Sequence, residues 1–189
     1  MSRPESLRIA LFGGSFDPPH LCHILAATFV LCRSEVDELR MIPTYQHAFD
    51  KPLTGFEHRC EMLKAAVAHL GPKITVDPIE AELGGTSYTI ETVRAIRAQE
   101  PEAELLWVCG VDAWQQRGRW HAWEELQPMI TPLIFGREGT SLTEAYEVVA
   151  TLPSISSSAL RDALKRGESI SGLVPEGVER YIAQHGLYG

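Results

Sequence analysis

His20 and His23 stand three residues apart, shortly after the pair Gly13-Gly14. On a helix, side chains at that spacing share one face. Glycines let backbone amides close in on an anion, and a helix N-terminus adds unpaired N–H groups and a partial positive charge. Together these residues make a clamp for a polyphosphate. An H-x-x-H pair by itself describes surface or packed histidines equally well, so the glycine turn in front is what points to phosphate. Cys22 between the rings invites a metal reading, but zinc usually takes four ligands and no matching set accompanies it. The turn is neither a G-x-x-x-x-G-K-[ST] loop nor a G-x-G-x-x-G loop, so two better-known phosphate motifs are excluded.

Other residues offer chemistry further along. Ser156, Ser157 and Ser158 precede a helical pattern with Arg161 one turn in. Serines there are ordinary N-caps, and with the arginine they also make a second anion site. Ser87-Tyr88-Thr89-Ile90-Glu91-Thr92 reads as another helix start. Asp112, in Gly110-Val111-Asp112, is a helix cap or a charged acceptor. Trp120 alone reads more readily as core than as a ligand platform, and Lys51, Arg59 and Arg137 alone read as solvated surface.

The elements that must position these residues alternate in type. Residues 7–12 are mostly apolar and predict a buried strand, broken by the two glycines. Pro18 and Pro19 hold off a helix until about His20. Strands are expected at 38–43, 73–77, 104–109, 132–135 and 148–152. Helices are expected at 87–99, 120–126, 156–166 and 175–185, with another from a Thr54–Glu57 capping box to Gly71-Pro72. Residues 44–54 read as a loop. This alternation predicts an α/β fold, an open, mostly parallel sheet of Rossmann-like form with helices on both faces. Ligands of such sheets sit at the strands' carboxyl ends, where strand order reverses.

The chain has 189 residues, the size of one domain spanning 1–189, with 1–6 expected as a loose tail. No run approaches the ~18 apolar residues of a membrane span, and the N-terminus has no signal-peptide pattern. A net charge of -8 argues against a general nucleic-acid binder. Cys22, Cys32, Cys60 and Cys109 show no C-x-x-C spacing, which predicts reduced thiols and a cytoplasmic protein.

Gly13-Gly14-Ser15-Phe16-Asp17-Pro18-Pro19-His20-Leu21-Cys22-His23 resembles the G-G-[ST]-F-[DN]-P-x-H-x-G-H signature of the bacterial nicotinate-mononucleotide adenylyltransferases, which belong to the H-x-G-H nucleotidylyltransferases. Cys22 stands where that motif has glycine. Ile155 to Arg161 resembles the family's I-S-S-[TS]-x-[IL]-R, and Ser87 to Thr92 its S-Y-T-x-[DE]-T. Gly110-Val111-Asp112 resembles its G-x-D, and Arg119-Trp120 its K-W pair. His58-Arg59 and Met62-Leu63 match H-R-x-x-M-L. Arg137 stands at the R-P-G position, with Glu138 for proline, and Lys51 lies in the loop that carries P-P-H-K. Tyr181 to Tyr188 resembles Y-I-x-x-x-G-L-Y, so the likeness runs from Leu7 to the end.

The resemblance implies that ATP and nicotinate mononucleotide are joined, with pyrophosphate released. It implies that His20, His23 and Arg161 are catalytic, and that ATP is held by them with Gly13, Gly14, Ser15 and Phe16. Asp112 would take the ribose, and Ile155, Ser156 and Ser157 would complete the ATP site. The mononucleotide would meet Gly14, Ser15, Lys51 and Arg59, with Tyr88 and Thr89 at the nicotinate carboxylate, Trp120 stacked on the ring, and Arg137. Mg²⁺ would arrive with ATP rather than in a protein cage. No nucleic acid or membrane is expected as partner, and a homo-oligomer is left open. The expected logic is two helix openings converging on one triphosphate, with amides and cations in place of an acid–base pair. Two alternatives share the clamp: a pantetheine-phosphate adenylyltransferase, and a non-catalytic nucleotide sensor suggested by Cys22.

Overall fold

The computed structural model describes residues 6–48, 52–140 and 148–189. Lys51 and the expected N-terminal tail as far as residue 5 lie outside the described residues. Among the described residues one sheet has six strands, β1 (Arg8–Gly14), β2 (Glu38–Pro43), β3 (Ile74–Val76), β4 (Glu104–Gly110), β5 (Thr131–Arg137) and β6 (Val148–Leu152), in the order β3-β2-β1-β4-β5-β6. Every pairing is parallel. The chain winds outward from β1 and then returns to start again at β4. These two central strands therefore mark the switch point, beyond whose carboxyl ends a crevice opens.

The helices are α1 (Leu21–Arg33), α2 (Phe56–Val67), α3 (Ile79–Leu83), α4 (Thr89–Gln99), α5 (Val111–Gln115), α6 (Trp123–Leu126), α7 (Ser157–Lys165) and α8 (Glu176–His185). Strand side chains alternate between faces, and the sequence fills both. Ala10, Phe12, Leu106 and Val108 meet Ile24, Met62, Leu160 and Val178, so α1, α2, α7 and α8 cover one face. Ile9, Leu11, Leu105 and Trp107 meet Ile79, Ile90, Trp114 and Leu126, so α3 to α6 cover the other. No helix of the described residues is long and apolar enough to cross a membrane.

Several local expectations change. The Thr54–Glu57 capping box does not form: Gly55 is the N-cap of α2 without a side-chain cap bond, and Thr54 hydrogen-bonds Tyr188 instead. The helix expected from residue 87 begins at Thr89. The one expected from Trp120 begins at Trp123, because Ala122 takes a left-handed conformation at φ 51°. The short α3 interrupts a stretch that carries no helical signal of its own.

Gly13 ends β1 against a tryptophan. A Cβ there would lie 2.8 Å from Cη2 of Trp107, whose ring is 5% exposed. Overpacking of this kind costs about 1–3 kcal/mol. Gly13→Ala is expected to lose stability on that scale, read from the midpoint of urea unfolding.

Candidate active site

Phe16 makes the turn between β1 and α1 possible. It adopts φ 46° and buries its ring, 1% exposed, against Phe12 and His23. Its side chain belongs to the core, which leaves its backbone as the part that could face ATP. Asp17 follows, also 1% exposed. One carboxylate oxygen accepts from the Tyr188 hydroxyl at 2.6 Å, and the other accepts from the Thr54 amide at 3.3 Å. Burial first, and then this carboxylate, push the Tyr188 phenol above its usual range.

His20 is the extended N-cap of α1. Its amide donates to Nδ1 of His23 at 3.1 Å. His23 Nδ1 is thus an acceptor, and the neutral ring carries its proton on Nε2. The two imidazoles stack at 3.8 Å between centroids. Burial, helped by the Arg137 charge, lowers His20 to a pKa of about 4. Burial, then His20 and Arg137, hold His23 well below the ordinary range. At neutral pH both rings are uncharged donors.

The second helix start does reach this place. Ser156 caps α7, its Oγ accepting from the Ala159 amide at 3.3 Å. Ser157 donates to the Pro18 carbonyl at 2.9 Å. Arg161 donates to the Asp17 carbonyl at 2.6 Å and lies 3.8 Å from its carboxylate. α7 is therefore fastened to the Asp17–Pro18 turn. The Ser157 hydroxyl and the Arg161 Nη1 are engaged in holding that turn, and the Ser156 hydroxyl in capping its own helix. Arg59 is likewise redirected. It is 1% exposed, and donates to the carbonyls of Thr54 at 2.8 Å and Ser15 at 3.0 Å, bracing the turn from behind.

Two cavities flank the switch point. The smaller, about 200 Å³, is lined by His20, Cys22, His23, Asp112, Arg137 and Ile155. Arg137 pairs with Asp112 at 3.0 Å across the ends of β5 and β4. The structure therefore puts Arg137 with the imidazoles, not with Tyr88 and Trp120 as expected. Cys22 is 7% exposed; its Sγ donates to the Pro153 carbonyl at 3.2 Å, and burial raises its pKa. The larger cavity, about 540 Å³, is lined by Gly14, Ser15, Ser87, Tyr88, Thr89 and Trp120. The Trp120 ring stands edge-on to Trp107, Trp114 and Trp123 at 6.3, 6.3 and 5.8 Å. Gly13, Cys109 and Ala113 border both spaces. Sequence reasoning assigned no role to Asp17, nor to Glu80, which borders the larger cavity. A carboxylate between phenylalanine and proline was the available signal for Asp17, while Glu80 had none.

His20 links the site to stability. Unfolded, its imidazole takes a proton below pH 6.5; folded, it resists until about 4. The unfolded chain binds more protons in that window, so stability is whole above about 6.5 and falls as pH drops toward 4. A ring lowered from 6.5 to about 4 accounts for about 3 kcal/mol. His20→Asn is expected to flatten the fall of Tm between those pH values relative to wild type.

Comparison with known proteins agrees with this geometry. Residues 11–163 match the cytidylyltransferase-like family. A protein of Anaeromyxobacter sp. (strain K) named probable nicotinate-nucleotide adenylyltransferase is 37% identical over 95% of this chain and 96% of its own. One of Geobacillus kaustophilus with the same name is 37% identical over 96% of this chain and 86% of its own. The fold matches that of the Plasmodium falciparum nicotinic acid mononucleotide adenylyltransferase complexed with NaAD, with a TM-score of 0.83 at 20% identity, over 96% of this chain and 97% of that one. The chain therefore belongs to the cytidylyltransferase-like family, in the group of the nicotinate-nucleotide adenylyltransferases.

Proposed function

We propose that the protein joins ATP and nicotinate mononucleotide into nicotinate adenine dinucleotide, with release of pyrophosphate. The observation that carries this reading is the shared Gly13 border: an imidazole-lined cavity and an aromatic-walled cavity meet at one backbone turn. Two nucleotides lying in them would bring their phosphates together beside His20 and His23.

The 5′-phosphate of the mononucleotide attacks the α-phosphorus of ATP. A new P–O bond forms, the bond from the α-phosphorus to the bridging oxygen breaks, and the electron pair leaves on pyrophosphate. A phosphate monoester has a second pKa of about 6 and is already mostly dianionic at neutral pH, so no general base is needed. Catalysis is positioning and charge stabilisation. His23, protonated at Nε2, and His20 would donate to phosphate oxygens, and Arg137 would supply the positive charge. Arg161 and Ser157 would act through the turn they hold, and Ser156 through the helix start it caps.

Among the described residues no three His, Cys, Asp or Glu side chains gather as a ligand set, and both Asp17 oxygens are engaged. That donor set does not fit a resident Mg²⁺, and we propose that the ion travels as part of MgATP. A cytoplasmic setting, without nucleic acid or membrane as partner, belongs to the same proposal.

Pyrophosphate release from ATP and nicotinate mononucleotide tests the reading. Turnover with pantetheine phosphate instead, or no turnover at all, would overturn it. Loss of one preorganised donor costs about 3–4 kcal/mol of barrier. His20→Ala and His23→Ala are therefore expected to lose about a hundredfold or more in kcat/KM, with unchanged far-ultraviolet circular dichroism. Cys22→Gly removes a thiol from the wall of the smaller cavity, and is expected to lower KM for ATP several-fold.

A further inference from the structure

The larger cavity has two walls from distant parts of the chain. Thr44, His47 and Ala48 form one, and Ser87, Tyr88 and Thr89 at the start of α4 form the other. Helix packing alone does not set their separation, because the first wall is a loop. What joins them is a carboxylate. Glu80, on α3, is 7% exposed. Its Oε2 accepts from the Tyr45 amide at 3.1 Å, and its Oε1 accepts from the Thr92 hydroxyl at 3.1 Å. The Tyr45 amide is shared: it also donates to the Ser87 hydroxyl oxygen at 3.0 Å.

We infer that Glu80 is a positioning residue for the mononucleotide, holding the two cavity walls in register through Tyr45, Ser87 and Thr92. The inference rests on the reading that this cavity takes nicotinate mononucleotide. A carboxylate can only accept, so the Thr92 hydroxyl turns its proton toward it. Ser87 Oγ faces the loop and accepts from the Tyr45 amide, which Glu80 also holds, at 3.0 Å and from the Gln46 amide at 3.1 Å. The Ser87 amide in turn donates to the Gln46 carbonyl at 2.9 Å, and His47 pairs with Ser87 as an isolated parallel bridge. One buried side chain thus ties the loop, through the Tyr45 amide that it shares with Ser87, to the Thr92 hydroxyl of α4.

The consequence for the ligand is chemical. The Glu80 and Ser87 acceptors at this end of the cavity are occupied by protein donors. What remains open beside them is the first turn of α4, where backbone N–H groups lack helical partners. A ring substituent placed there meets donors, and it meets them at a distance set by Glu80. Burial raises the Glu80 pKa while its hydrogen bonds oppose the rise, as expected for a carboxylate held inside by its donors.

The test is a kinetic split. Glu80→Ala is expected to raise KM for nicotinate mononucleotide about tenfold or more, while KM for ATP moves less than about threefold. Glu80→Gln, which keeps an acceptor toward Tyr45 and places its amide toward Thr92, is expected to recover most of that loss. Thr92→Val cuts one arm from behind without reaching the cavity, and is expected to raise the same KM several-fold. An unmoved mononucleotide KM in Glu80→Ala, or an equal rise in both KM values, overturns the inference. A Glu80→Gln variant as impaired as Glu80→Ala overturns it too. If Glu80→Ala fails to fold, an unmoved KM in Thr92→Val decides against it. Wild-type chain that gives no turnover with nicotinate mononucleotide overturns the functional reading and this inference together, whereas normal wild-type turnover with unmoved variants overturns this inference alone.

Discussion

A single buried carboxylate carries the geometry of this protein. Asp17 lies below the turn that joins the central strand to the first helix, nearly sealed from solvent. It gathers the C-terminal Tyr188, the Thr54 amide that introduces α2, and Arg161 from α7. These partners come from segments far apart in sequence. Withdrawing one member of a buried charged network leaves the rest uncompensated, a loss of about 3–5 kcal/mol. The turn is therefore as rigid as the folded state itself. The histidines on the far side inherit that rigidity, which is what a site acting by position requires.

The charge distribution follows the same economy of placement. The imidazoles are stacked, buried and neutral, while positive charge is held back in Arg137 at the end of β5. A pair of imidazolium rings at a 3.8 Å separation would repel each other strongly without a ligand. Keeping them neutral lets the empty site fold. Arg137 is meanwhile kept in place by Asp112, a partner that a nucleotide's ribose and phosphates can replace.

The frame of this site was legible in the sequence because its signals are local. Two glycines, two prolines and a 3-4 apolar pattern describe a strand, a turn and a helix without reference to anything else. The same is true of the Ser156 cap and of Gly186 after the last helix, which takes the left-handed conformation at φ 59°. What was not legible depends on distant partners. Arg59 reads as a surface cation until the Ser15 and Thr54 carbonyls are brought to it. Arg137 moved from one cavity to the other because β5 runs two residues beyond the expected Phe135 and carries the guanidinium to the end of β4. α3 is five residues long, too short for any periodicity to register. The Ser157 hydroxyl of α7 bonds to a turn lying more than a hundred positions earlier in the chain, which no local pattern encodes.

All four tryptophans of the chain belong to one edge-to-face group, and two of them border the larger cavity. Indole emission from this protein thus originates at a single wall. An electron-poor pyridinium ring lying on Trp120 would quench it, and excitation energy shared among the four would pass that quenching to the whole group. Under the proposed placement of nicotinate mononucleotide, the indole group would serve as an intrinsic optical gauge of that cavity's occupancy.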